Sequence, residues 1–381
     1  MSSENKPQLL NSCKEILESL VTDSKSKSDM DVFLRLYSQF LEEPATINWN
    51  SWSLPDESNF IDSKELPNLE ESEAKKLLNR LAVVRLNGGL GTTMGCNGPK
   101  SLITVKNEKN FLEIALEQVN FLNEKYNYEL LKKGKSVLFV SNIDNTGATV
   151  DPRFIKILTE EKREYMMEVT DKTQADIKGG TLVKIDGRMM HLEMPQVPPE
   201  GIDEFCSTKT FKIFNTNNIW VDLEAIRPKL GEIKREIIAN KKTLSTGEKV
   251  IQLETSIGGA IRNFPNACGL KVSRSRFLPV KRTQDLLLVS SDVFEFDNES
   301  NVTLVKTRKA APLISLSKEF DNLEEFQRRF KKIPSLKNAD SLKIKGDVWF
   351  GENVVLKGKV EIEAKEGDTV VIKDGEVIDG N

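Results

Sequence analysis

Histidine is almost missing from this sequence and cysteine is sparse. His191 is the single histidine, so a Ser-His-Asp or Cys-His relay has one candidate base, and no motif around it supports that role. A structural histidine is the plainer reading. The four cysteines, Cys13, Cys96, Cys206 and Cys268, stand far apart with no CxxC pair, which argues against a zinc site and a disulfide framework and fits a reducing compartment. No stretch approaches the roughly 20 apolar residues of a membrane span, and the N-terminus has neither the basic flank nor the continuous apolar core of a signal peptide. A cytoplasmic protein with no membrane partner is expected. Charge of one sign is not in excess either. Lys and Arg total 55 against 58 Asp and Glu, a net charge of -3, which gives no reason to expect nucleic acid as a partner.

What is present is a globular composition, 38% hydrophobic and 30% charged, in a chain of 381 residues, long enough for two or three structural units. Leu9, Leu10, Cys13, Ile16, Leu17, Leu20 and Val21 recur at three- and four-residue spacing and predict an amphipathic helix docked on something larger. A second helix is expected over 31–41. Residues 43–70, with Trp49, Trp52, prolines and many acids, read as an irregular segment on the surface. Residues 1–75 are therefore expected to form an N-terminal helical attachment. From Leu81 onward β-branched runs alternate with helical stretches, the rhythm of an α/β domain over 76–310. LAVVRL, SVLFVSN, EYMMEV, GTLVKI, FKIFNTNNIW and DLLLVSSD are the candidate strands, and one apolar stripe predicts a helix over 111–131. The tail, 311–381, spaces glycines at 346, 351, 358, 367 and 375 among alternating apolar residues. Stacked coils of a β-helix fit that spacing; a meander of hairpins is the alternative.

The most informative stretch is RLNGGLGTTMGCNGPKS, residues 85–101, directly after the strand at 81–84. Its glycines let the backbone turn at positive φ and bring N–H groups close to a polyanion. Met94 breaks the GxGxxG pattern counted from Gly89, and Pro99 between Gly98 and Lys100 spoils the P-loop spacing. The proline would aim Lys100 back over the loop, where it could neutralise phosphate charge. A phosphate site and a tight structural turn both remain open on these residues alone.

The run LNGGLGTTMGCNGPKS resembles the signature of the eukaryotic-type UDP-glucose pyrophosphorylases. The likeness continues in order through 139–151, 167–182, 211–220, 252–261 and 275–289. The resemblance implies a Rossmann-like, GT-A-like nucleotidyltransferase with a mixed sheet and a C-terminal left-handed β-helix that can carry subunit contacts, hence a homo-oligomer. It implies UTP–glucose-1-phosphate uridylyltransferase activity, with UTP and glucose 1-phosphate as substrates and Mg2+ as cofactor. Leu86, Asn87, Gly88 and Gly89 then match the turn over the nucleotide, the two glycines also serving the sugar substrate. Lys100 and Lys281 match the two lysines that meet the phosphates. Asn142, Ile143 and Asp144 match residues beside the sugar phosphate, with Asp144 on the magnesium, and Asn217 matches a glucose-binding residue. Gly179 and Gly180 would allow close backbone approach to the sugar, and Glu254 is a candidate hydroxyl acceptor.

The chain departs from that family in one place. Only 43 residues separate Lys100 from Asp144, and the catalytic domain is shortened between 124 and 135. In the family the stretch found there carries a glutamine that reads uracil and a Gly-His pair, and no residue here takes those roles. Two further readings therefore stand beside the active uridylyltransferase: a catalytically inactive relative acting as a binding or oligomer-modifying subunit, and a nucleotidyltransferase for another sugar phosphate, against which the FNTNNIW and RFLPVK blocks favour glucose.

Overall fold

A computed structural model of the chain describes residues 5–43, 46–87, 94–96, 98–126, 134–173, 176–229, 232–233, 236–243 and 247–380. The chain divides into two compact units that interleave in sequence. The first comprises Met1–Glu65 and Leu158–Lys271, the second Leu66–Ile157 and Val272–Asn381. This differs from the three consecutive segments that composition suggests.

The first unit is built on a mixed sheet. Tyr165–Asp171 pairs parallel with Ala267–Lys271, which pairs parallel with Phe60–Asp62, while Ile213–Asp222 runs antiparallel to Tyr165–Asp171. Six of the seven residues of Tyr165–Asp171 are buried, as a strand covered on both faces requires. Trp52–Ser53, Thr181–Ile185 and Arg188–Leu192 make a second, antiparallel sheet. It packs through Val183 and Leu192 with Val197, Phe205 and Phe211, against which Trp49 and Trp52 lie. The segment expected to be merely irregular thus supplies two short strands and an aromatic anchor, with the Trp52 ring centroid 4.8 Å from that of Phe211. The N-terminal helix, Lys6–Glu18, buries none of its residues, so its apolar stripe is not sealed as expected. The next helix starts early, at Ser24, because the Asp23 carboxylate accepts from the Ser26 N–H at 2.7 Å and caps the first turn.

In the second unit Leu81–Leu86 and Val137–Asn142 pair in parallel, with the helix Phe111–Tyr126 between them in sequence. The remainder of the stretch expected to be helical, 127–131, lies outside the described residues, as does most of the shortened region. DLLLVSSD is not a strand: Thr283–Ser290 is a helix. A short apolar run cannot distinguish the two by periodicity. What decides is local: the Asp285 carboxylate accepts from the Lys281 and Arg282 N–H groups at 2.9 and 2.8 Å, satisfying donors that a helix start leaves orphaned. Every strand pair among the described residues of the tail is parallel, whereas hairpins would pair antiparallel. One apolar core runs through this unit, from Met94, Phe111 and Ile114, through Val280, Leu286 and Leu287, to Phe320, Phe330, Leu336, Ile344 and Val348 of the tail. Mixed α/β architecture is therefore observed. No helix among the described residues is long and apolar enough to cross a membrane.

One buried carboxyl ties the stability of the first unit to pH. Glu236 is only 4% exposed, and burial pushes it up from 4.5 to about 7 against the pull of the Gln196 side chain and Arg262. Folding therefore takes up a proton here, and the associated stability is complete below about 4.5 and lost as pH rises through about 7. Glu236→Gln, which stays neutral, should raise unfolding stability at pH 8 by about 2 kcal/mol and have no effect near pH 4.5. Urea melts at both pH values test this; equal shifts at the two would contradict it.

Candidate functional site

Two parallel strands of the second unit end side by side. Leu86 lies opposite Asn142, and the Ile143 N–H donates to the Leu86 carbonyl at 2.9 Å, extending the pairing one step beyond the strands. Asn87 therefore leaves one strand end while Asn142, Ile143 and Asp144 leave the other. The C-terminal ends of parallel strands are where α/β sheets hold ligands. Gly88 and Gly89 lie outside the described residues. Arg85 locks the ends together, donating to the Ser141 hydroxyl at 2.6 Å and to the Ala148 carbonyl at 2.5 Å.

Asp144 is the centre of the charge arrangement. Its Oδ2 accepts from Lys100 Nζ at 2.6 Å and lies 3.1 Å from Lys281 Nζ. The two lysines differ in surroundings: the Lys100 side chain is 7% exposed and that of Lys281 is 55% exposed. The short turn Lys100–Leu102 holds the first, with the Ile103 N–H donating to the Lys100 carbonyl. The second follows an extended segment zipped to the Asp144 turn. The Val280 N–H donates to the Asp144 carbonyl at 3.1 Å, the Leu278 N–H to Asn145 Oδ1 at 2.8 Å, and Asn145 Nδ2 to the Arg276 carbonyl at 3.1 Å. Gly147 permits this approach, since a Cβ there would stand 2.5 Å from the Ser275 carbonyl oxygen.

The clamp continues on the far side of Lys100. Lys106 Nζ, buried, donates to the carbonyls of Val289 and Ser291 at 3.2 and 2.8 Å. These carbonyls close the helix Thr283–Ser290, whose C-terminal end favours a cation. Burial brings Lys106 down to about 8. At the start of the same helix, burial pushes the Asp285 carboxyl up, against the Arg282 and Lys281 N–H groups and the charges of Arg282 and Lys100. Both ends of the helix are thus tied to the segments that carry the two lysines.

Asn217 belongs to the first unit. It lies in a break of register between Asn215 and Ile219 and has φ +63°, a conformation that asparagine tolerates better than most residues. One side of the irregular stretch is fixed by Glu168, which accepts from Asn218 Nδ2 at 3.0 Å and Trp220 Nε1 at 2.8 Å. On the other side Asn215 Oδ1 accepts the Asn217 N–H at 2.8 Å. Gly180 is accounted for within the protein: a Cβ there would lie 2.5 Å from His191 Nε2. Glu254 accepts from Asn240 Nδ2 at 2.8 Å across the hairpin Ile237–Thr243 and Lys249–Thr255.

Sequence reading missed Arg85, Lys106, Asn145, Glu168 and Asp285 as organisers of these sites. Arg85, Asn145, Glu168 and Asp285 stand inside the quoted stretches, where nothing set them apart from their neighbours, and Lys106 lies outside all of them. A cavity of about 480 Å³ in the second unit is lined by Arg85, Arg153, Arg276 and Asp151. It contains none of Lys100, Asp144 and Lys281, so the charge arrangement and not the cavity marks the chemistry.

A magnesium ion fits the carboxylate. Asp144 Oδ1 is buried and has no partner among the described residues, and it belongs to a hard oxygen donor of the kind Mg2+ takes. No cluster of three or more His, Cys, Asp or Glu able to hold a metal occurs among the described residues.

Comparison with known proteins agrees with this geometry. The family described as UTP--glucose-1-phosphate uridylyltransferase matches residues 30–130 and 128–357. A protein of that name from Musa acuminata is 40% identical over 439 aligned positions, covering 93% of this chain and 94% of the relative. One from Encephalitozoon cuniculi is 37% identical, covering 98% and 91%. The alignment with the Musa protein is longer than this chain, so it includes positions for which this chain has no residue. Among solved structures, a UDP-glucose phosphorylase of Trypanosoma brucei superposes with a TM-score of 0.83 at 27% identity, covering 98% of both chains. A variant of the Leishmania major UDP-glucose pyrophosphorylase in complex with UDP-glucose gives 0.81 at 25% identity, again covering 98% of each. With its two strand ends, its paired lysines and these relatives along nearly its whole length, the chain belongs to the UTP–glucose-1-phosphate uridylyltransferase family.

Proposed function

We propose that this chain transfers a uridylyl group from UTP to glucose 1-phosphate, giving UDP-glucose and pyrophosphate. The observation that carries the reading is the pairing of one buried carboxylate with two lysines, one enclosed and one half exposed. In the reaction a phosphate oxygen of glucose 1-phosphate attacks the α-phosphorus of UTP, and the bond from that phosphorus to the bridging oxygen breaks as pyrophosphate leaves. Little covalent chemistry falls to the protein, which positions the reactants and balances charge. Lys100 would hold the nucleotide phosphates. Lys281, the freer of the two, would leave Asp144 for the α-phosphate and stabilise the charge that grows there.

Mg2+ on Asp144 would neutralise phosphate oxygens and hold the triphosphate in line. Asn142 would lie beside the sugar phosphate and Asn217 on the glucose. The parallel tail supports a left-handed β-helix and, through its edge, a homo-oligomer. A cytoplasmic location fits the unpaired, scattered cysteines. The alignment with a relative spans more positions than this chain has residues, and the family match is split at 128–130; uracil would then have to be held by residues other than those of the segment the family carries there. The meeting of Lys100, Asp144 and Lys281 supports the active reading over the inactive one.

Four outcomes follow. With UTP, glucose 1-phosphate and Mg2+ the protein should release pyrophosphate in step with UDP-glucose; product from N-acetylglucosamine 1-phosphate alone, or none, would overturn the assignment. Removing Mg2+ with EDTA should stop turnover, and adding it back should restore it. Lys281→Ala should lower kcat by on the order of 10²- to 10³-fold while changing stability by less than about 1 kcal/mol, its side chain being half in solvent. Asp144→Asn, in contrast, leaves Lys100 buried without its counter-charge and should cost about 3 kcal/mol in a denaturant melt.

A further inference from the structure

His191 lies outside every sequence block that marks the family, yet three of those blocks converge on its ring. It is 1% exposed. Its Nε2 lies 3.1 Å from Asn215 Nδ2 and 3.2 Å from Glu193 Oε1. Gly180 and Gly258 make room for it, since a Cβ on either would stand 2.5 Å from Nε2 or 2.7 Å from Nδ1. Nδ1 is buried and has no partner among the described residues. A ring chosen only to fill this volume would be better replaced by Leu or Phe, which strand no polar atom.

The polar contacts say what the ring does. Asn215 Oδ1 is committed to the Asn217 N–H at 2.8 Å, so the Asn215 amide has one orientation and its Nδ2 faces both Asn217 Oδ1, at 3.3 Å, and His191 Nε2. The Asn215 backbone N–H donates to the Gly180 carbonyl at 2.8 Å. Asn215 is thereby held at its backbone by Gly180 and at its amide by His191, and both oxygen and nitrogen of that amide hold Asn217. Asn217 itself has φ +63°, a conformation that persists only where the surroundings over-determine it.

We propose that His191 is a positioning residue for sugar recognition: its Nε2 orients the Asn215 amide, which fixes Asn217 in the left-handed conformation that presents its side chain to the glucose moiety. The proposal rests on the reading of Asn217 as the glucose-contacting residue. It differs from a packing role because glutamine, whose terminal amide reaches the place of Nε2, should replace histidine where leucine does not.

Equilibrium binding of UDP-glucose and of UDP to the full chain, by calorimetry, needs no turnover and isolates the sugar. The preference of the wild-type protein for UDP-glucose over UDP should fall roughly tenfold in His191→Leu, through loss of one oriented amide, with UDP affinity unchanged. His191→Gln should recover most of the preference. Asn217→Ala should lose the same preference, and adding His191→Leu to it should cost nothing more. If Asn217→Ala binds both ligands as the wild type does, the reading of Asn217 fails and the proposal falls with it. If Asn217→Ala loses the preference but His191→Leu keeps it, or if His191→Gln is no better than His191→Leu, the positioning role alone is overturned.

Discussion

A lysine and an aspartate shut away from water within 2.6 Å of each other are what the second unit is organised around. Removing either charge from such a pair leaves the other uncompensated, and that penalty exceeds the value of the pair itself. The cost explains why so much of the neighbourhood is spent on holding the two in place. The turn at Pro99 fixes Lys100, Lys106 grips the end of the helix Thr283–Ser290, and Asn145 zips the Asp144 turn to the chain leading into Lys281. A second lysine, half in solvent, shares the same carboxylate oxygen. One lysine is structural and electrostatic at once, and the other is mainly available.

The first unit solves a different problem with the same economy of charge. An asparagine at positive φ inside a strand is a strained element, and the flanking residues restrain it from both faces. Glu168 collects Asn218 and Trp220 on one side, while Gly180, Asn215 and His191 hold the other. A buried carboxylate satisfied by neutral donors, as Glu168 is, needs several well-aimed hydrogen bonds to remain in the interior, and the register break supplies them.

The strands at 81–86 and 137–142 were legible in the sequence because β-branched runs of that length, followed by glycine-rich or Asn/Asp turns, have few other ways to fold. The motif residues Lys100, Asp144 and Lys281 were legible as candidates because the sequence blocks that contain them resemble those of a known family. That they meet on one oxygen atom was not, since 136 residues separate Asp144 from Lys281 and no local pattern encodes such a contact. DLLLV misled because five apolar-rich residues fit either period, and the carboxylate that starts the helix is visible only once its two N–H donors are placed. Gly180 misled in another way: a glycine that makes room need not make room for a ligand, and here its neighbour is an imidazole. The interleaving of the two units was hidden for a general reason, since composition along the chain reports local character and not which distant segments share a core.

The shared core of the second unit has a consequence for how the protein is made. Met94, Phe111 and Ile114 are among its earliest residues, and their packing partners, from Val280 to beyond Val348, lie far later in the chain. The first unit is complete in sequence at Lys271. During synthesis Met94 and the helix Phe111–Tyr126 must therefore wait, with apolar surface exposed, until those later residues are added. Contacts of such long sequence separation form slowly, and chains that expose apolar surface in the interval are prone to aggregate. A transcript cut short in the tail would yield a protein in which Met94, Phe111 and Ile114 lack part of the interior they pack into.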